Sequence, residues 1–369
     1  MRRLPLLALP ALAVLACDSE PETLPPVGSH LVYVDTDAIV KVEAGSTPNG
    51  LQEALFDRLE LAILDENGEV LCSGCVREVE ATTSLFAGGG ASFSVVPPPG
   101  TTPIARVRLF RAASRVEGVL APESVIEVVA ELPVTPAEGT VESSIFLATE
   151  TVGAPRGELA APVVVTDGDP AASVGRFETT QVNSWAGAAR VDCATEPTDG
   201  RSCVPGGAYW MGNPLVQGSD FPEAERQRLV VMSPFYLDQQ EVTVGEFRSW
   251  AETQTGEVDV DLRSTDPEQA EFFCTYTAEP GDDEARPVNC VGFDAASAYC
   301  AAQGGSLPSE AQFEYASGAL RSALFVWGTD ELALCEGAVW GRGAQPGTTI
   351  ASVGDGFCLD EGADVGPLA

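Results

Sequence analysis

From residue 30 to about residue 150, apolar residues recur at every second position, the spacing at which side chains of an extended chain share one face. Leu59, Leu61 and Ile63 alternate with Arg58, Glu60 and Ala62, and Ala105, Val107 and Leu109 alternate with Arg106, Arg108 and Phe110. Asn67-Gly68 supplies a turn before Val70-Leu71-Cys72. Phe93 to Val96, Ile126 to Leu132 and Val141 to Leu147 read as further strands between Gly- and Pro-rich turns. This pattern predicts an N-terminal all-β, immunoglobulin-like sandwich over residues 30–150. Residues 151–190 are rich in Ala, Gly, Pro and Val without a sustained period and read as a linker, with Ala161-Pro162-Val163-Val164-Val165 left open as an extra strand.

Beyond residue 190 the pattern changes to short helices marked by their caps. Ser309 is placed to cap a helix, with Gln312 three residues on to close the reciprocal bond and Pro308 holding the preceding chain extended. Phe313 and Ala316 fall on one face of that helix, and Glu310 and Glu314 on another. Thr243 and Glu246 form a second capping box ahead of Phe247 and Trp250. Asp294 is expected to cap a third helix that Gly304-Gly305 ends. Between them, residues 252–286 carry many acidic and turn residues and read as an irregular surface excursion tied at its base by Cys274 and Cys290.

Charge and cysteine usage narrow the setting. Acidic residues outnumber basic ones 55 to 20 in 369 residues, a formal charge of −35, with no Lys/Arg cluster, which excludes a nucleic-acid partner as a working expectation. Met1-Arg2-Arg3 followed by an apolar run from Leu4 to Ala16 is too short to span a bilayer and reads as an export signal, residues 1–16. Val14-Leu15-Ala16-Cys17 resembles the bacterial lipobox, which implies cleavage before Cys17 and lipid attachment to it. The expected location is the bacterial cell envelope, anchored by lipid to the inner or outer membrane. Residues 17–29, with Pro21, Pro25 and Pro26, then form a flexible tether. Ten cysteines in an exported chain read as disulfides. Close spacing favours Cys72 with Cys75, Cys193 with Cys203, Cys274 with Cys290 and Cys335 with Cys358, leaving Cys300 over. A redox role for Cys72-x-x-Cys75 is disfavoured because the region is strand-rich and has no βαβ pattern. His30, the only histidine, excludes a Ser-His-Asp hydrolase and a His-ligated zinc site.

Several blocks in residues 191–369 together carry a family resemblance. Gly206-Gly207-Ala208-Tyr209-Trp210-Met211-Gly212, Phe235-Tyr236-Leu237 through Glu241-Val242-Thr243, Pro287-Val288-Asn289-Cys290-Val291-Gly292-Phe293-Asp294-Ala295 through Ala298-Tyr299-Cys300, Leu307-Pro308-Ser309-Glu310-Ala311-Gln312-Phe313-Glu314-Tyr315-Ala316, and Phe325-Val326-Trp327-Gly328 occur in that order. They resemble the blocks of the formylglycine-generating enzyme (sulfatase-modifying factor) family. The resemblance implies that family's α+β, C-type-lectin-like fold with long loops over a small sheet. In the family the activity is a copper-dependent oxidation of a sulfatase cysteine to formylglycine, and two cysteines near the end of the domain hold the metal.

The family's Gly-Asn-Val-x-Glu-Trp block and its later Arg-Gly-Gly-Ser block with the cysteine pair do not occur before Ala369, so the fold is expected to be incomplete at its C-terminus. No catalytic, cofactor or metal residue is assigned, and copper is expected only with that further part. Calcium is left open: Ala338 stands in Gly337-Ala338-Val339-Trp340 where the family places an Asn ligand, while the Val339 carbonyl remains. Ser306 stands for the family's usual Arg, and Val326 for its Pro. Trp210, Phe235, Phe313 and Trp327 are expected in the core. The leading expectation is a lipid-anchored protein whose domain binds or supports without catalysis. A formylglycine-generating oxidase is the alternative, and a lectin-like module the weaker one. The expected partners are the membrane, through the lipid, and either another envelope protein or a glycan.

Overall fold

The structure, a computed structural model, describes residues 27–43, 54–116, 118–197, 200–212, 227–266, 269, 271 and 274–323. Its strands begin with β1 (Gly28–Thr36), β2 (Arg58–Leu64), β3 (Val76–Glu80), β4 (Ala91–Val95) and β5 (Ile104–Phe110). They continue with β6 (Arg115–Val116), β7 (Val119–Leu120), β8 (Ile126–Glu131), β9 (Gly139–Leu147), β10 (Val163–Val164) and β11 (Ala172–Val174). The remaining strands are β12 (Arg201–Val204), β13 (Gly207–Met211), β14 (Arg228–Met232) and β15 (Phe235–Asp238). Helix α1 (Thr83–Phe86) lies in the first half, and α2 (Val244–Ala251), α3 (Phe293–Ala302) and α4 (Glu310–Ser317) lie in the second.

Two mixed sheets make up the N-terminal region, one ordered β11-β9-β1-β4 and the other β10-β8-β5-β2-β3. Their apolar faces meet in one core: Val32, Val34, Phe93, Val95, Ile145 and Leu147 from the first, and Leu59, Leu61, Ile63, Val107, Leu109 and Val128 from the second. The alternation read in the sequence therefore points the expected residues inward. The turn at Asn67-Gly68 returns the chain onto β2 as expected, with Val70 bridged to Leu64 and Leu71 N donating to Ile63 O at 3.1 Å, and β3 then continues the pairing, with Leu59 opposite Val79. The Cys72–Cys75 disulfide closes the turn before β3, where Cys75 N donates to Cys72 O at 3.1 Å. The expected tether ends early, because β1 already starts at Gly28 and runs parallel to β9 from Gly28 opposite Gly139 to Thr36 opposite Leu147. A Cβ at Gly28 would come within 1.7 Å of the Pro136 carbonyl oxygen, so the strand can start there only with glycine.

Residues 151–190 are not a linker in the structure. β10 adds in parallel to β8, and β11 antiparallel to β9 with Ala172 opposite Ile145. Buried polar groups fasten the chain beyond β11. The carboxylate of fully buried Asp35 accepts from Thr180 Oγ1 at 2.7 Å and from Gln181 N at 2.9 Å, and Asn183 Oδ1 accepts from Val40 N at 2.8 Å. Strands of two and three residues are too short to show a period, and the fastening of residues 180–183 through carboxylate and amide side chains leaves no hydrophobic signature.

In the C-terminal region, β12 pairs with β15 and β13 with β14, in two separate antiparallel sheets. Every residue of β13 is buried because it is covered on both faces. Tyr209 and Met211 join Val204 and Tyr315 in one cluster, while Ala208 and Trp210 enter the core of the N-terminal sheets. The Trp210 indole packs edge-on to Phe56 at 5.5 Å between ring centroids and donates from Nε1 to Leu55 O at 2.7 Å. A third cluster forms around Phe247, Ala295 and Tyr299.

The two capping boxes are present as expected, Thr243 with Glu246 on α2 and Ser309 with Gln312 on α4. The cap of α3 differs: Gly292 is the N-cap and makes no side-chain bond, and Asp294 lies inside the first turn. A carboxylate there still favours the helix through the amide dipoles. The excursion is irregular, and the Cys274–Cys290 disulfide does close its base. An ion pair anchors it as well: Arg248, 7% exposed in its side chain, donates Nη2 to Glu284 Oε1 at 2.8 Å, donates Nη1 to Thr277 O at 2.8 Å, and stacks on Tyr276 at 4.5 Å.

Candidate functional site

A cleft of about 740 Å³ opens between β15, the C-terminal half of α3, the Gly304–Pro308 segment and the start of α4. Each wall comes from one of the sequence blocks that carry the family resemblance. Phe235, Tyr236, Leu237 and Asp238 of β15 form one side, while β12 contributes only Arg201. Tyr299 and Cys300 of α3 lie opposite, held in place because α3 packs Ala295 and Tyr299 against Phe247. Leu307, Pro308, Gln312 and Phe313 close the third side, positioned by the Ser309 cap: Gln312 N donates to Ser309 Oγ at 3.3 Å, and Ser309 N donates to Gln312 Oε1 at 2.9 Å.

The expectation that Phe313 is a core residue is overturned, since it is 64% exposed at the cleft. Tyr315, two positions on, fills the core instead. It is fully buried, its ring lies 5.0 Å from that of Tyr209, and its hydroxyl accepts from Arg190 Nη1. A turn of helix 3.6 residues long sends positions 313 and 315 to different sides, so only one of the two aromatics could be inward. Phe235 is partly buried and Trp210 fully so.

The charged groups at the cleft are few. Arg201 Nε donates to Asp238 Oδ1 at 3.0 Å, and its Nη2 donates to Gln303 O at 3.2 Å, tying β12 to the end of α3. Glu241 stands exposed at the edge. Burial, and then the Asp238 carboxylate, push the Cys300 thiol up, so at neutral pH it is a protonated, weakly nucleophilic thiol. The Tyr299 hydroxyl is pushed up by burial, with Glu246 and Asp238 adding to it. Cys300 is free, as expected from the leftover cysteine. These groups suit contact with a ligand better than proton transfer near pH 7.

The Cys193–Cys203 disulfide lies beside the cleft on β12, where Cys193 Sγ lies 3.5 Å from Phe235 O. Among the described residues no group of three or more His, Cys, Asp or Glu side chains is arranged to hold a metal ion. The lipid site Cys17, the Cys335–Cys358 pair, the calcium positions Ala338 and Val339, and the block residues Val326 and Trp327 lie outside the described residues. No described helix is long and apolar enough to cross a membrane. Sequence reasoning placed Phe313 in the core and not at the mouth of the cleft, and did not single out the Arg201–Asp238 pair. The Phe-Tyr-Leu block and the Ser309 cap were the available signals for their neighbourhood.

Two mixed sheets with a shared core, followed by a helix-poor, disulfide-tied region with an apolar cleft, define a two-part protein. Residues 188–346 match the family model of the sulfatase-modifying factor enzyme 1-like domain, and the chain carries such a domain over those residues. No curated protein matches the chain. Among solved structures, a proposed cell adhesion protein from Bacteroides ovatus ATCC 8483 is 12% identical with a TM-score of 0.16. It covers 42% of this chain, and this chain spans 45% of its length. A likeness at that score carries no argument about fold or function.

Proposed function

We propose that the protein is a lipid-anchored component of the bacterial cell envelope in which an immunoglobulin-like sandwich carries a sulfatase-modifying-factor-like domain of C-type-lectin-like fold that binds a ligand without catalysing its conversion. The cleft is the observation that supports this reading. Its walls are mainly apolar, it presents the Phe313 ring to solvent, and it adds a few fixed polar groups, the composition typical of a recognition site. The Cys300 thiol, raised in pKa rather than lowered, lacks the activation a nucleophile requires. Cys17, following an apolar run, supplies the lipid anchor.

Two experiments test this reading. Replacing Cys17→Ser should move the protein from the membrane fraction to the soluble fraction, and retention in the membrane fraction would overturn the anchor. The purified chain should bind members of a glycan or peptide array, with binding lost in Phe313→Asp; an array without any binder would overturn the binding module. The family resemblance supports a second reading, a copper-dependent formylglycine-generating oxidase acting on sulfatase cysteines. Tight uptake of one copper together with oxidation of a sulfatase-derived peptide by the full chain would establish that reading and displace the first.

A further inference from the structure

Among the described residues β15 pairs on one side only, with β12. Just beyond the ladder, Gln239 N donates to Gly200 O, so the odd-numbered residues of this strand turn their backbone groups toward β12. In an antiparallel ladder the direction alternates, which leaves the amides of Tyr236 and Asp238 directed away from β12. It is β15, and not β12, that supplies four successive residues to the cleft wall. An unpaired strand edge is a template for another strand, and here it borders an apolar groove able to take that strand's side chains.

We infer that the cleft is a docking groove for an extended segment of a partner protein, which adds as a strand to the free edge of β15 and places apolar side chains against Leu237, Tyr299 and Phe313. This rests on the proposed binding role of the cleft and names its partner class. Charge selects the occupant. Asp238 is already paired with Arg201, which leaves Glu241 as the uncompensated charge at the rim, on a chain of net charge −35. Another copy of this chain would bring a second −35 to the contact, whereas a segment alternating apolar and basic residues complements both the groove and its field.

The test uses the full chain and three labelled, N-acetylated hexapeptides: alternating valine and lysine, alternating valine and glutamate, and the valine–lysine peptide N-methylated at every second residue so that it cannot complete a ladder. Fluorescence anisotropy at low salt should show saturable binding of the first, with at least tenfold weaker binding of the other two. Phe313→Asp and Glu241→Lys should each weaken the first by at least fivefold. Hydrogen exchange at Tyr236 and Asp238 should be fast in the free chain and slow in the complex.

No saturation by the valine–lysine peptide, or equal binding of its N-methylated form, overturns the inference. So does slow exchange at those two amides in the peptide-free monomer, which would mean that another segment of this chain fills the edge. Slow exchange that appears only on self-association would assign the edge to a second copy and overturn it equally. Binding of glycans alone sinks this inference and leaves the binding role standing, while failure of glycans and peptides together sinks both.

Discussion

His30 shows how much one side chain can carry. It is fully buried on β1, its Nε2 lies 3.1 Å from Thr135 Oγ1, and its Nδ1 is enclosed with no hydrogen-bond partner. Burial therefore pulls its pKa below the usual value of 6.5. In the unfolded chain it takes a proton near that value, so below it the unfolded state binds more protons than the folded one. Stability is then complete above about pH 6.5 and declines as pH falls toward the lowered folded pKa, by up to about 1.4 kcal/mol per pH unit. Urea midpoints at pH 7.5 and 5.5 should fall less in His30→Gln than in the parent, and equal falls would refute the assignment. In the sequence this residue stood out only as the sole histidine at the end of a supposed tether. Its enclosure comes from Thr135, more than a hundred positions away, which no local pattern reveals.

At the scale of elements, the capping boxes were the most legible features. A hydroxyl and a Gln or Glu three residues apart satisfy each other's neighbouring amides whatever surrounds them, so Thr243 and Ser309 could be read directly. Ser309→Ala should lower stability by about 1 kcal/mol. Because α4 presents Gln312 and Phe313 to the cleft, it should also weaken array binding; an unchanged urea midpoint would show that the cap contributes nothing. The same helix exposes the limit of periodicity. Phe313 and Tyr315 are both aromatic, and the face that turns inward depends on Tyr209 and Arg190, contributed by distant parts of the chain. Asp294 failed as a cap for a related reason. The helix starts two residues earlier than the acid suggests, with Gly292 bonded to Asp259, where Gly292 N donates to Asp259 O at 3.0 Å.

Across the whole molecule, β13 joins what would otherwise be two bodies. Trp210 enters the N-terminal core while Tyr209 and Met211 serve the other region, and Ser114 Oγ donates to Gln227 Oε1 at 2.9 Å in a second buried contact. The two regions should therefore unfold in a single transition. Trp210→Ala should cost about 3–5 kcal/mol and lower that transition as a whole. Calorimetry resolving two independent peaks in the parent, or a loss confined to one peak in the variant, would refute the coupling. Composition and pattern by themselves determined the strand-rich first half, three cysteine pairings now seen as disulfides, two helix starts and the blocks that mark the second domain, because each depends on residues a short distance apart in the chain. The tertiary structure alone decided that residues 151–190 belong to the sheets, that β1 is an inner strand of its sheet, and that separate sequence blocks converge on one cleft. Those outcomes depend on which distant surfaces exclude water together, and the free energy of that exclusion is a property of the assembled fold.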